Sequence, residues 1–209
     1  MKKGLLLILL ICFSINIQAQ KKRTTTKKVV EKPVVLVKYD PKNIEVQYFN
    51  KTITVYYTID EKKDTLFTEK TIDAVNSNFF SIKEFKAGNK NLLLFSWTEN
   101  ITNKTDLLKE DMFVAENQVW DFDNKKRLVK NKQKRGTSEK IHFLSKQKDA
   151  SETIYSKIND GRSFSLLANG DYTLSSDKGT DKFVYNATDN KYAVVVPKTT
   201  SKKNTARRR

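Results

Sequence analysis

The chain has 209 residues with 40 Lys or Arg against 24 Asp or Glu, a formal charge of +16, and a single Cys and a single His. Plentiful Leu, Ile, Val, Phe, Tyr and Trp exclude global disorder. One histidine excludes sites built from several imidazoles, and one cysteine excludes a disulfide within the chain.

Lys2 and Lys3 precede an unbroken apolar run from Leu5 to Phe13 and a mixed stretch that ends at Ala19. This is the three-part layout of a secretory signal peptide over residues 1–19, with cleavage after Ala19. Asn16 and Gln18 interrupt the run short of the roughly 20 apolar residues that a membrane-spanning helix needs. Cys12 follows Ile11 inside the apolar run, so it reads as a plain apolar residue and not as an acylation site. Cleavage then leaves a thiol-free chain, exported to the periplasm or to the extracellular side and the cell surface.

The positive charge is concentrated in three segments. Residues 20–32 form a basic N-terminal arm with Lys21, Lys22, Arg23, Lys27, Lys28 and Lys32 against Glu31, and residues 198–209 form a basic tail with Lys198, Lys202, Lys203, Arg207, Arg208 and Arg209. The third segment, 125–135, carries Lys125, Lys126, Arg127, Lys130, Lys132, Lys134 and Arg135 and no acid. Like charges repel and long side chains lose entropy when ordered, so both ends are expected as solvated arms and 125–135 as a loop. Lys125, Lys126, Arg127, Lys130, Lys132, Lys134, Arg135, Lys202, Lys203, Arg207, Arg208 and Arg209 are the candidate polyanion-binding residues.

Between the arms, residues 33–197 read as one β domain, with a division into two subsheets near 125–137. Val34 to Tyr39 and Ile44 to Phe49 read as strands about the turn Asp40-Pro41-Lys42-Asn43. Thr52 to Ile59 alternates clearly, with Ile53, Val55, Tyr57 and Ile59 on one face and Thr52, Thr54, Tyr56 and Thr58 on the other. Leu66 to Ile72 and Phe79 to Phe85 follow, and Leu92 to Trp97 is apolar throughout, as in a strand covered on both faces. Leu108, Met112, Ala115 and Val119, spaced by four, three and four, predict a helix with Thr105 or Asp106 as N-cap. Six short β-rich runs from Glu139 to Val196 are separated by Asp160-Gly161, Asn169-Gly170, Asp177-Lys178-Gly179 and Asp189-Asn190, all of them hairpin chemistry. All five glycines after the leader are expected in loops. The fold class is therefore mainly β, an antiparallel meander forming a sandwich or barrel, with at most one or two short helices.

His142, between Ile141 and Phe143, is expected on a surface. Asp121 and Asp123 flank Phe122, a spacing that suits either a cation or, as Asp123-Asn124 suggests, a turn; Asp177, Gly179 and Asp181 likewise read as a hairpin. No Gly-rich phosphate loop, zinc motif or nucleophile elbow occurs, so no catalytic residue, metal or cofactor is assigned. Tyr48, Phe49, Tyr56 and Tyr57 are expected to cover a second layer. These features point to an exported, non-catalytic cell-envelope protein, a binding or assembly module that meets anionic envelope polymers, a membrane surface or other envelope proteins, without specific nucleic-acid recognition. The alternative is a carrier with a pocket for lipid or another apolar ligand, and after it an enzyme.

Overall fold

The computed structural model describes residues 32–71, 75 and 77–195. The expected leader over residues 1–19, the expected basic arm up to Glu31 and the basic tail from Lys198 to Arg209 lie outside the described residues. Three antiparallel meanders follow one another along the chain. The first sheet holds β1 (Val34–Tyr39), β2 (Ile44–Phe49), β3 (Thr52–Ile59) and β4 (Lys62–Lys70). The central sheet holds β5 (Phe80–Ala87), β6 (Lys90–Lys104), β7 (Leu108–Asp121), β8 (Lys126–Phe143) and β9 (Ser151–Gly161). The third holds β10 (Ser163–Leu166), β11 (Tyr172–Ser176), β12 (Gly179–Asn186) and β13 (Lys191–Val194). Short 3-10 turns at Asp40–Lys42 and Ser77–Phe79 are the helical elements among the described residues.

The period-2 patterns dictate how these sheets stack. Ile53, Val55 and Tyr57 turn inward from β3 and meet Leu93, Phe95, Trp97 and Trp120 from one face of the central sheet. Leu92, Leu94, Val119 and Val129 point from its other face onto Tyr172 and Tyr185 of the third sheet. The central sheet is thus the middle layer of a sandwich-like fold, which is why Leu92 to Trp97 shows no alternation. Phe67 stacks on Trp120 at 4.9 Å and Phe80 on Trp97 at 5.7 Å in the first core, and Tyr172 stacks on Phe183 at 4.7 Å in the second. Two hairpins close through paired positive-φ residues, Asn50-Lys51 and Asp60-Glu61, whose backbone twist matches that of the flanking strands.

Three expectations are corrected. The helix over Leu108 to Val119 is strand β7, paired with β6 on one side and β8 on the other. Leu108, Met112, Val114 and Trp120 share one face while Ala115 and Val119 share the other, and apolar residues on both faces together imitate a helical spacing. Thr105 does accept the N–H groups of Leu107 and Leu108 at its Oγ1, as a cap would, but it closes the β6–β7 hairpin. The basic loop is the first half of β8, an 18-residue strand inside the central sheet, so the chain does not divide into subsheets at 125–137. Alternation sends Lys130, Lys132 and Lys134 to one face and Asn131, Gln133 and Arg135 to the other, and neighbouring strands supply acceptors for both sets. Three of the glycines expected in loops belong to strands, Gly136 within β8, Gly161 at the end of β9 and Gly179 at the start of β12; at Gly136 the strand requires glycine, because a Cβ there would come within 2.2 Å of the Asp111 carbonyl oxygen.

Candidate functional site

The basic residues of β8 that the sequence singles out, Lys126 apart, face acceptors on neighbouring strands. Lys130 Nζ donates to Glu69 Oε2 at 2.7 Å and lies 3.4 Å from Glu116 Oε1; Lys132 Nζ lies 3.5 Å from Glu116 Oε2. Arg127 reaches Glu69 at 3.9 Å, Lys134 reaches Asp160 at 3.8 Å and Lys125 reaches Asp64 at 3.8 Å. Arg135 donates to Ser163 Oγ at 2.6 Å. Lys126 is exposed at the start of the strand. Glu116 is only 1% exposed, and Gln118 beside it donates to both Glu116 and Glu69 while accepting from Trp120 Nε1 at 3.0 Å. Leaving a buried carboxylate without partners would cost several kcal/mol, and the lysines of β8 prevent that. Six of the seven cations of 125–135 therefore have acceptors on neighbouring strands or turns, while Lys202, Lys203, Arg207, Arg208 and Arg209 lie outside the described residues.

A second polar cluster ties the third sheet to the central one. Asp121, fully buried at the end of β7, accepts from Asn124 Nδ2 at 2.6 Å and from Asn190 Nδ2 at 2.7 Å. Burial opposes its charged form, but the bonds from Asn124 and Asn190 and the nearby Lys90 outweigh that and hold its carboxyl below the ordinary aspartate range. Asp171 behaves alike, with burial offset by Asn169, Lys182 and the Tyr185 N–H. A depressed folded-state pKa contributes stability that is complete above the unfolded value near 4 and is lost as pH falls through the folded value. Asp121→Asn is therefore expected to take up to one proton out of the acid unfolding slope below about pH 4. Urea melts at a series of pH values measure this, and an unchanged slope would refute it.

Asp123 sits in the β7–β8 turn, 4.0 Å from Lys42, so Asp121 and Asp123 do not converge on a cation. Asp177 and Asp181 flank the β11–β12 hairpin and take Asn159 and Arg162 as partners. His142 lies on the exposed part of β8, 3.6 Å from Glu152 on β9. Among the described residues no group of three or more His, Cys, Asp or Glu could hold a metal, and no helix is long and apolar enough to cross a membrane. Tyr57 is buried against Phe122, whereas Tyr56 faces outward with Lys63 4.2 Å above its ring.

The remaining surface is one that the sequence did not single out. Beyond Ile101 and Val114 the central sheet runs on as a single layer: no residue of 102–113 or 134–161 is buried. From Arg135 to Phe143 this extension is roughly 25 Å long at 3.3 Å per residue. Phe113, Ile154 and Tyr155 are exposed on it, Tyr155 by 74%. An open concavity of about 400 Å³ lies across it, lined by Lys109, Asp111, Thr137, Glu139, Tyr155 and Lys157 among others. The sequence signal was in β9, where Ile154 and Ile158 share one face and Tyr155 takes the other, so neither face is uniformly apolar enough to be a core. Comparison with protein families, curated protein sequences and solved structures gives no match.

Proposed function

We propose that this chain is an exported, non-catalytic cell-envelope protein that serves as a binding or assembly module, with basic arms that contact anionic envelope polymers or a membrane surface. The observation that carries this reading is the projecting half of the central sheet, which buries no residue of its own yet carries exposed Phe113, Ile154 and Tyr155. Apolar surface gathered outside a core marks sites that meet another molecule, and Phe113 and Tyr155 lie on the same face of this layer, with Ile154 on the other. Both cores are filled by interlocking aromatic and aliphatic side chains, which supports a binding module over a carrier, since a carrier needs interior volume. The leader layout of residues 1–19 supports export.

Because the cations of 125–135 other than Lys126 already have acceptors, the arms supply most of the charge for attachment. Each basic residue near an anionic membrane contributes about 1 kcal/mol, so the tail's six basic residues give at least a tenfold effect. Cosedimentation with phosphatidylglycerol-containing vesicles should be strong at low salt, absent with neutral vesicles, and at least tenfold weaker after deletion of 198–209. Neutralising Lys130 and Lys132 should lower stability instead and leave vesicle binding nearly intact. If deletion of the tail together with neutralisation of Lys125, Lys126 and Arg127 leaves binding unchanged, electrostatic attachment is wrong.

A further inference from the structure

We propose that the free edge of β9 pairs with β9 of a second copy of this chain, joining two central sheets into one continuous antiparallel sheet. The proposal rests on reading the chain as an assembly module, though not on its export or its basic arms, so the vesicle assay and the test below fail independently.

β9 closes one side of the central sheet and, among the described residues, pairs only with β8. Its residues Ser151 to Lys157 are all exposed, Ile154 by 46% and Tyr155 by 74%, so nothing among the described residues covers this edge. An open edge presents a row of unpaired N–H and C=O groups, and folded proteins blunt such edges with short strands, prolines, bulges or charged side chains, lysine above all. β9 carries Glu152, Lys157 and Asp160 but is neither short nor broken by a proline or a bulge. It is eleven residues long, contains no proline, and keeps one unbroken register from Gln133↔Gly161 to Phe143↔Ser151. The other sheet edges, β1, β4, β5, β10 and β13, have between four and nine residues.

The sequence of β9 is complementary to itself in one register. Antiparallel pairing of two copies uses a two-fold axis normal to the sheet, and residues that meet must come from the same face. With the axis at Ser156, Ile154 meets Ile158 of the second copy, Tyr155 meets Lys157, and Thr153 meets Asn159, each pair occurring twice. These are the apolar and aromatic–cation cross-strand pairs that stabilise antiparallel sheets. Glu152 faces Asp160 at the ends, but His142 stands 3.6 Å from the first and Lys134 3.8 Å from the second, so each carboxylate has a cationic or protonatable neighbour. The neighbouring registers are poorer. An axis at Tyr155 puts Glu152 against Ile158 and Ile154 against Ser156, and one at Lys157 sets two lysines face to face. Lys157 then has a positive role, because it stacks on Tyr155 in one register and repels its copy in another. A strand-to-strand interface of this length falls in the small, weakly associating class, with dissociation expected at about 10–100 µM.

Sedimentation velocity of the full chain from about 1 to 500 µM tests the proposal, and a concentration-dependent monomer–dimer transition is expected. Tyr155→Lys sets like charges opposite each other twice and should weaken the dimer tenfold or more. Adding Lys157→Glu to that variant turns both pairs into opposite charges and should restore it. In a Cys12→Ser background, Ser156→Cys should cross-link under mild oxidation, because directly opposed residues sit about 4.5–5.5 Å apart between Cα atoms, within disulfide reach. Lys157→Cys should not. A chain that stays monomeric throughout, a dimer that Tyr155→Lys leaves intact, or cross-linking stronger at 157 than at 156 would each overturn the proposal.

Discussion

Replacing Trp97 with Ala is expected to remove about 3–5 kcal/mol of stability, the range for deleting a large aromatic side chain from a packed core. Trp97 is 1% exposed, stacks on Phe80, and stands opposite Glu116 in the β6–β7 ladder. Its removal opens a void where the first sheet rests on the central one, and that void borders the buried Glu116 and its lysine partners. Trp97→Phe separates two contributions. The indole Nε1 of Trp97 is buried and reaches no acceptor among the described residues, so the Phe variant loses ring volume but also sheds a donor unpaired among them. It is expected to cost only about 1–2 kcal/mol. Urea unfolding of the three proteins measures the difference, with similar m-values required for the comparison. Equal losses for Ala and Phe would mean that the indole N–H contributes a bond of its own.

Gly170→Val should be nearly as damaging, through the backbone. Gly170 has φ +84, which a β-branched residue adopts only with strain, and a Cβ there would stand 2.1 Å from the Lys86 carbonyl oxygen and 2.6 Å from Ala87 Cα. Strain of about 1–2 kcal/mol and a clash with backbone that cannot swing aside together give about 3 kcal/mol or more. The loop at Gly170 donates its N–H to Leu167 and accepts the Tyr192 hydroxyl, so its displacement also loosens the aromatic core of the third sheet. Gly179→Ala is the control. Gly179 also has a positive φ, but nothing lies within 4 Å of a Cβ there, so only backbone strain of about 1–2 kcal/mol applies. Near-ultraviolet circular dichroism from Tyr172, Tyr185 and Tyr192 follows the third sheet, and Trp fluorescence follows the first core. If Gly170→Val lowers stability no more than Gly179→Ala, the close approach to Lys86 does not constrain the fold.

Where one face is buried and the other is not, the local pattern is sufficient. The bounds of β1, β2 and β3 agree with the expected strands; β2 and β3 alternate cleanly against a single core, and turn residues at Asp40-Pro41-Lys42-Asn43 mark the end of β1. The same rule misleads in the central sheet. β7 has apolar residues at odd and even positions for two different cores, and their sum has the spacing of a helix. β8 shows why a run of like charges is not by itself a loop. Its lysines fall on alternate positions opposite Glu69, Glu116 and Asp160, which belong to other strands, so their compatibility with a strand depends on pairing that no local window contains. The candidate surface was hidden for a related reason. Ile154 and Tyr155 look like ordinary strand residues, and only the absence of a covering layer distinguishes them from core.

Every neighbouring pair of strands in the three sheets is also a neighbouring pair along the chain. Closing any one of these ladders requires only a hairpin, so the entropic cost of bringing distant segments together is deferred until whole sheets stack. The early steps of folding can then proceed in order from the N-terminal end, each hairpin zipping onto the last within microseconds. The slow step becomes docking of finished sheets onto the two faces of the middle one. A chain delivered end first, by synthesis or by threading through a narrow passage, could assemble each layer without waiting for the next to arrive.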